Sequence, residues 1–327
     1  MRPANAMGRI NEIMLKYIGK RILIMIPILI GISLLVFFIL TIMPGDVAVL
    51  QIGSSATEEN VALWKEQHGL NDPFFVRYFK YIGGVLRGDF GSSWRTNLDV
   101  KMEFSQRISS TVILSVGALF LVCIIGLPIG ILSAVKQYTM FDYSCILMTL
   151  LLTSIPAFWL GLVLMLFVSL QLNLLPSTGA DTFAHYILPW ITLSATLTAQ
   201  TIRMARSTML EVIRQEYIKT AKAKGARPYQ VIIKHALRNA LLPLITVIGL
   251  QFGVTIGGTI VTESVFAIPG VGTYLLQAVK QHDVPAVMIS VLFIAAVIGV
   301  TNLVVDILYM FVDPRLRTQL MKGRVKG

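Results

Sequence analysis

Apolar runs without charged residues, each long enough to cross a membrane, recur along this chain. Crossing about 30 Å of hydrocarbon takes roughly 20 residues of α-helix, because hydrocarbon leaves no partner for an unpaired backbone group. The six predicted spans cover 22–43, 108–135, 143–170, 184–202, 239–262 and 284–312. We therefore predict an all-α, polytopic membrane protein with six transmembrane helices and a small external lobe after the first helix.

A soluble helical core is the alternative explanation for such apolar runs. Only 14% of the 327 residues are charged and 55% are hydrophobic, whereas about a quarter of the residues of a soluble domain are charged. The fourth run is the shortest and carries several hydroxyl side chains, including Thr192, Ser194 and Thr198. The shortage of charge still favours lipid as the environment of the whole set.

The basic residues are unevenly distributed between the two sets of loops. The segments 1–21 and 313–327 each carry five Lys and Arg against one acid, and 203–238 carries nine against two. The segment 44–107 holds seven basic and eight acidic residues. By the positive-inside rule both termini and the 203–238 loop are cytoplasmic, and 44–107 is an external lobe. The net charge of +11 is then a topology signal, and we expect no nucleic-acid partner.

The 203–238 loop contains a short helical segment that ends in a tight turn. Good helix formers run from Arg214 to Lys224, Gly225 stands where a left-handed cap would end the helix, and Pro228 follows three residues later. The small side chains of Ala221 and Ala223 allow close docking against a partner. A solvated basic loop at the lipid headgroups is the alternative interpretation.

This segment resembles the "EAA" loop of ABC importer permeases, in the form found in the dipeptide, oligopeptide and nickel family. The matching residues are Glu216, Tyr217, Lys219, Thr220, Ala221, Lys222, Ala223, Lys224, Gly225 and Ala226. Where the common pattern has Glu-Ala-Ala, this chain has Lys219-Thr220-Ala221, and Lys224 replaces the usual acid before the glycine. The resemblance implies that this loop couples the permease to a cytoplasmic ATPase.

Five other segments carry the same resemblance, which extends from about residue 20 to 317. They are 68–73 with 87–93 in the lobe, 262–272 after the fifth span, 302–306, and 313–315. A long lobe after the first span resembles the "B" member of the permease pair. The resemblance implies a cell-membrane complex with a second permease, two ATPase subunits and an external solute-binding protein. It implies peptides as substrates, with nickel or metal chelates and glutathione as alternatives.

Small and polar residues inside the predicted fifth span form a candidate helix seam. The members are Gly249, Gln251, Gly253, Thr255 and Gly257, and glycines at this spacing allow close helix approach. The seam could pack within the subunit or line the pore. A second set, after the span, is a candidate external gate or binding-protein contact: Glu263, Phe266, Pro269, Gly270 and Gly272.

No motif for chemistry is present in the sequence. It has no phosphate-binding GxxxxGK[ST] loop and no HExxH, and its four histidines and two cysteines are scattered. We expect no enzyme activity, metal or cofactor in this chain. A stand-alone secondary transporter or channel is the competing class. Such proteins usually show paired intramembrane charges or broken helices near mid-membrane, and neither is evident in this sequence. A membrane scaffold without transport activity is the third hypothesis for the function.

Overall fold

The computed structural model describes residues 3–53 and 56–312, with side chains described from Tyr17 to Leu308 except Leu242. Over these residues the regular structure is helical, and the only β-type pairing is one isolated bridge between Ser92 and Asp99. The prediction of an all-α protein is confirmed. The predicted tail, 313–327, lies outside the described residues.

Six long helical units form the membrane part of the fold. They are α1 (Pro3–Ile42); α5 (Val100–Leu121), continued through a π-helical turn (Val122–Gly126) into α6 (Leu127–Val135); α7 (Met140–Ser154) with α8 (Ala157–Leu164) and its π-helical end (Met165–Gln171); α9 (Ala184–Ile213); α12 (Arg238–Val265); and α14 (Val284–Val312). Four units are long and apolar enough to span a membrane, and the α7–α8 pair provides a fifth candidate. Helix α9, the sixth, is long enough but richer in hydroxyl side chains.

Three of these helices extend furthest beyond the predicted spans. Helix α1 begins at Pro3 instead of 22, α5 begins at Val100 instead of 108, and α9 ends at Ile213 instead of 202. Charge marks the limit of an apolar run, but a charged residue does not end a helix. Asp99 sets the true start of α5, because its carboxylate accepts a hydrogen bond from the Lys101 N–H at 2.7 Å.

The predicted continuous third span is broken in the middle. Helices α7 and α8 meet at an angle of 98°. Pro156 causes the break, because the residue before a proline is pushed out of the helical region. Ile155 accordingly has φ −85° and ψ 123°. The break lies inside the span predicted over 143–170, which therefore consists of two helices.

Short helices build the 44–107 lobe and the connections. In the lobe these are α2 (Val47–Ile52), α3 (Glu58–Gln67) and α4 (Phe74–Leu86); elsewhere they are α10 (Glu216–Ala223), α11 (Pro228–Gln230) with a π-helical turn (Val231–Leu237), and α13 (Val271–Lys280). The lobe packs on α1 and α14 through Phe37, Tyr78 and Val284. Asp283, at the start of α14, accepts hydrogen bonds from the Ser93 hydroxyl and the Trp94 N–H. The lobe is therefore fastened to the helix bundle.

Helix α9 packs against α5 and α6 at very close range. A Cβ at Gly130 would lie 2.6 Å from the Ala205 Cβ, and one at Gly117 would lie 2.1 Å from the Trp190 ring. Both positions require glycine because any side chain would collide with α9. This tight contact makes α9 a firm support for the segment that follows it.

Candidate coupling site and the helices around it

Helix α10 ends in the left-handed cap that the sequence predicts. Gly225 has φ +81°, its N–H donates to the Lys222 carbonyl at 2.9 Å, and the Ala226 N–H donates to the Ala221 carbonyl at 3.2 Å. This pair of hydrogen bonds is a Schellman motif, which satisfies the last carbonyls of a helix. No atom lies within 4 Å of a Cβ placed at Gly225. The cap is therefore an open surface.

One side chain anchors α10 to the bundle. Ile218 is fully buried and contacts a core that includes Met209 of α9, Val231 and Ala236. The exposed residues of the predicted site are Glu216, Tyr217, Lys219, Thr220, Lys222, Ala223, Lys224 and Gly225, while Ala221 and Ala226 are half-buried. Helix α10 is thus held on one face and free on the other, as a docking element must be.

The free face of α10 is basic. Lys219 donates to Glu216 at 2.7 Å, but both side chains are largely exposed, so this ion pair adds little stability. Lys222 and Lys224 are exposed as well. Partial burial raises the pKa of the Tyr217 hydroxyl. The surface fits a partner that carries acidic groups.

A buried ion pair ties α9 to the turn between α6 and α7. The Arg206 guanidinium donates to both carboxylate oxygens of Asp142, with Nε–Oδ1 at 2.6 Å and Nη2–Oδ2 at 2.8 Å. The Ser133 hydroxyl and the Tyr138 N–H donate to the same carboxylate at 2.6 and 3.0 Å. Asp142 is fully buried. This clasp, Asp142 with Arg206, fixes α9 about two turns before its end at Ile213.

The three glycines of the predicted α12 seam lie in two different environments, one packed against α14 and one facing outward. A Cβ at Gly249 would lie 2.0 Å from the Val305 side chain, and one at Gly253 would lie 3.7 Å from Ile298. Both of these glycines therefore pack on α14 of the same chain. A Cβ at Gly257 would meet nothing within 4 Å, so Gly257 faces outward.

The polar members of the seam are buried between α12 and α9. Gln251 accepts a hydrogen bond from the Thr201 hydroxyl at 3.0 Å and donates to the Leu197 carbonyl at 3.5 Å. The Thr255 hydroxyl donates to the Gln251 carbonyl at 2.6 Å. In this structure both side chains serve helix packing, the first of the two alternatives that the sequence leaves open.

Glu263 is a buried organiser of the turn between α12 and α13. The Thr111 hydroxyl of α5 donates to its Oε1 at 2.6 Å, and the Thr273 N–H donates to its Oε2 at 2.9 Å. The Val271 N–H in turn donates to the Thr111 hydroxyl at 2.8 Å. The carboxylate therefore joins three helices.

Two of the predicted external residues are glycines because this carboxylate lies so close. A Cβ would come within 2.3 Å of Glu263 at Gly270 and within 2.8 Å at Gly272. Phe266 is also buried, and only Pro269 of the predicted set is exposed. The four buried residues hold the turn in shape, and their role as an external gate or a binding-protein contact stays a prediction.

Asp306 pairs the last span with the first. Its Oδ2 lies 3.1 Å from the Arg21 Nε, and both side chains are partly exposed. Arg21 lies midway along α1 and Asp306 lies near the end of α14, so this ion pair is a structural contact between the two helices. No cluster of three or more His, Cys, Asp or Glu suited to a metal occurs in the described part of the chain.

Two family profiles cover nearly all of this sequence. Residues 126–318 match the binding-protein-dependent transport system inner membrane component, and residues 14–115 match the N-terminal region of such membrane components. The chain belongs to this family of ABC importer permeases. It is accordingly a multi-pass membrane protein.

Curated relatives of this permease align with it almost end to end. The dipeptide transport system permease protein DppB of Escherichia coli K12 is 38% identical over 336 residues, covering 93% of this chain and 99% of the relative. DppB of Alkalihalophilus pseudofirmus is 37% identical, covering 93% and 100%. The glutathione transport system permease protein GsiC of Salmonella paratyphi A is 39% identical, covering 93% and 99%.

The permease also shares its fold with a solved transporter. A chain of the inward-facing MetNI methionine ABC transporter superposes with a TM-score of 0.55 at 20% identity. The match covers 65% of this permease and 97% of that chain. The likeness concerns the fold of the helix bundle.

Sequence reasoning missed three groups that position the site. The anchoring role of Ile218 could have been predicted, because it is the one branched aliphatic residue among the other residues of α10. Asp142 and Arg206 lie 64 residues apart, and Thr111 and Glu263 lie 152 apart. Pairings over such separations leave no local pattern to read.

Proposed function

We propose that this permease forms, with a second homologous permease, the path through which an ABC importer carries peptides. The observation that carries the proposal is α10, anchored by Ile218 and capped at Gly225, with its basic face free. An exposed helix fixed to the bundle by one buried residue can transmit movement of a docked partner to the spans.

Energy comes from two separate ATPase subunits, one of which binds α10 of this permease. The sequence lacks a phosphate-binding loop, and we infer that the chain hydrolyses no ATP itself. Only two residues separate α9 from α10, and the Asp142–Arg206 ion pair holds α9. Displacement of α10 therefore moves α9 with it as a rigid body. This is how closure of the ATPases would reach the membrane.

The second permease meets the outward face of α12. Exposed residues recur there at helical spacing: Leu250, Val254, Gly257 and Val261. An apolar face with a glycine in it allows two helices to approach closely. Of the predicted seam, Gly257 is thus the member assigned to the pore or the subunit interface.

The permease is oriented with both termini in the cytoplasm and the 44–107 lobe outside. The charge distribution supports this orientation. It places α10 on the side of the ATPases, and the lobe and Pro269 on the side of a solute-binding protein. That protein delivers the substrate and supplies most of the selectivity.

Di- and oligopeptides are the proposed substrates. The dipeptide permeases support this choice at 37% and 38% identity. Glutathione is the second candidate, because a glutathione permease is equally similar; nickel and metal chelates are the third.

Uptake into proteoliposomes separates these substrates. The complex is reconstituted with its binding protein, and import of labelled Ala-Ala is followed with ATP inside and with excess unlabelled glutathione or nickel outside. We expect ATP-dependent import of Ala-Ala that excess glutathione does not suppress. Suppression by glutathione would transfer the assignment to glutathione, and import without ATP would contradict an ABC importer.

A further inference from the structure

A cleft in the 44–107 lobe has no role in the function proposed above. It has a volume of about 350 Å³ and lies between the α3–α4 turn, helix α4 and the start of α14. Its lining includes Phe37, His68, Asp72, Arg77, Tyr81 and Trp94. A second cleft, of about 370 Å³, shares Arg77 and Trp94 as wall residues.

Among the described residues, Arg77 is the one Lys or Arg of this lining with no ion pair within 4 Å, although the Asp72 carboxylate attracts it from further away. Its guanidinium lies over the Phe37 ring, 5.6 Å from the centroid. The acids of the two clefts are already occupied: Asp72 pairs with Lys80 and Asp46 with Lys65, each at 2.6 Å. Burial lowers the pKa of Arg77, yet an arginine stays charged at any physiological pH.

Tyr81 contributes an unused hydroxyl to the same cleft. The hydroxyl is buried and has no hydrogen-bond partner within the described part of the chain. The ring stacks on Phe37, with centroids 6.3 Å apart. A buried hydroxyl without a partner is costly, so a ligand that accepts its hydrogen bond would be favoured.

The remaining walls are flat and fixed. The His68 Nδ1–H donates to the Trp64 carbonyl at 2.8 Å, and the two rings stack at 3.9 Å. Trp94 packs edge-on against both rings, at 5.6 and 5.9 Å. A preformed aromatic wall beside a charged group is typical of sites for small organic ligands.

We propose that this cleft binds a carboxylate carried by a small organic group, with Arg77 as its cation and Tyr81 as a hydrogen-bond donor. A guanidinium matches the two oxygens of a carboxylate, and the aromatic walls accommodate the attached carbon skeleton. Two sources share this chemistry. One is the C-terminal carboxylate of a free peptide, and the other is an acidic side chain of the docking binding protein.

The inference rests on the proposed external position of the lobe but not on coupling. A purely structural Arg77, held only by Phe37, would affect stability without distinguishing a charged ligand from a neutral one. The test is therefore an equilibrium binding measurement in the absence of ATP, which does not depend on whether the complex transports.

Isothermal titration calorimetry on the full detergent-purified complex, without binding protein, tests the site with four probes. Ala-Ala and its C-terminal amide represent the peptide source; N-acetylglutamic acid α-amide and N-acetylglutamine amide represent the side-chain source. Each is titrated into the wild type, Arg77→Gln, Arg77→Lys and the control Arg87→Gln. Arg87 is an exposed arginine of the same lobe outside the cleft.

We expect at least one charged probe to bind about tenfold or more tightly than its neutral counterpart. Arg77→Gln should abolish this preference, Arg77→Lys should restore part of it, and Arg87→Gln should leave it unchanged. Preference for Ala-Ala assigns the site to peptide, and preference for the glutamic acid probe assigns it to a protein side chain. Equal binding of charged and neutral probes to a folded wild type, or an undiminished preference in Arg77→Gln, overturns the proposal.

Discussion

At the scale of single residues, Gly225 matters both for its backbone conformation and for its place on the proposed docking surface. Its φ of +81° disfavours most side chains, whereas Asn and Asp tolerate this region better than others. Its Cβ position is open, so a side chain there points into the surface that a partner would cover. The basic neighbours Lys222 and Lys224 suggest that this partner is acidic.

Gly225→Asp should leave the protein in the membrane while reducing ATP-driven peptide uptake at least about tenfold, because it places a negative charge against an acidic partner. Gly225→Asn is the matched control, with nearly the same shape and strain but no charge, and should retain most of the uptake. Uptake in proteoliposomes is the measurement. Equal uptake by the Asp variant and the wild type would remove the docking role of this cap.

The Asp142–Arg206 clasp makes a prediction about stability. Removing one partner of a buried pair leaves the other uncompensated, which costs about 3–5 kcal/mol. Asp142→Ala and Arg206→Ala should each lower the Tm of the detergent-solubilised protein, and the double variant should be no less stable than the worse single variant. Lys219→Ala, which breaks the exposed pair with Glu216, is the control and should change the Tm little. Additive losses would show that the two residues act independently.

At the scale of elements, the turn between α12 and α13 depends on the space around Glu263. Gly270→Ala would place a methyl group 2.3 Å from the carboxyl, and such overpacking costs about 1–3 kcal/mol. The expected result is a clear fall in Tm. Gly83→Ala, a helical glycine of α4 with nothing within 4 Å, is the control and should be neutral or slightly stabilising. An unchanged Tm for Gly270→Ala would contradict the described packing.

The elements also show which features a sequence can predict. Continuous apolar runs indicate spans because lipid imposes one solution on the backbone, and a glycine after helix formers indicates a cap. Helices α1, α5 and α9 extend beyond the predicted apolar spans, since a helix continues into water for as long as local hydrogen bonds are satisfied. The buried roles of Glu263 and Gln251 depend on Thr111 and Thr201, which are distant in the chain.

At the scale of the whole molecule, the fold connects two separated surfaces. The basic face of α10 lies at one end of α9, and the 44–107 lobe is fastened to α1 and α14 through Asp283 and Phe37. Between them, α12 presents an unpartnered apolar face. This arrangement fits the proposed machine, in which the chain carries substrate but depends on partners for energy and delivery.

The central claim is that this permease works only as one part of an ABC importer. The most direct test is mild-detergent purification of the tagged chain from native membranes, with mass spectrometry of the proteins that accompany it. We expect a second six-span permease and one or two P-loop ATPases, with the ATPases lost from Gly225→Asp but kept in Gly225→Asn. Recovery of a stable chain alone, with no ATPase in either the wild type or the Asn variant, would contradict this account and indicate a self-sufficient transporter or channel.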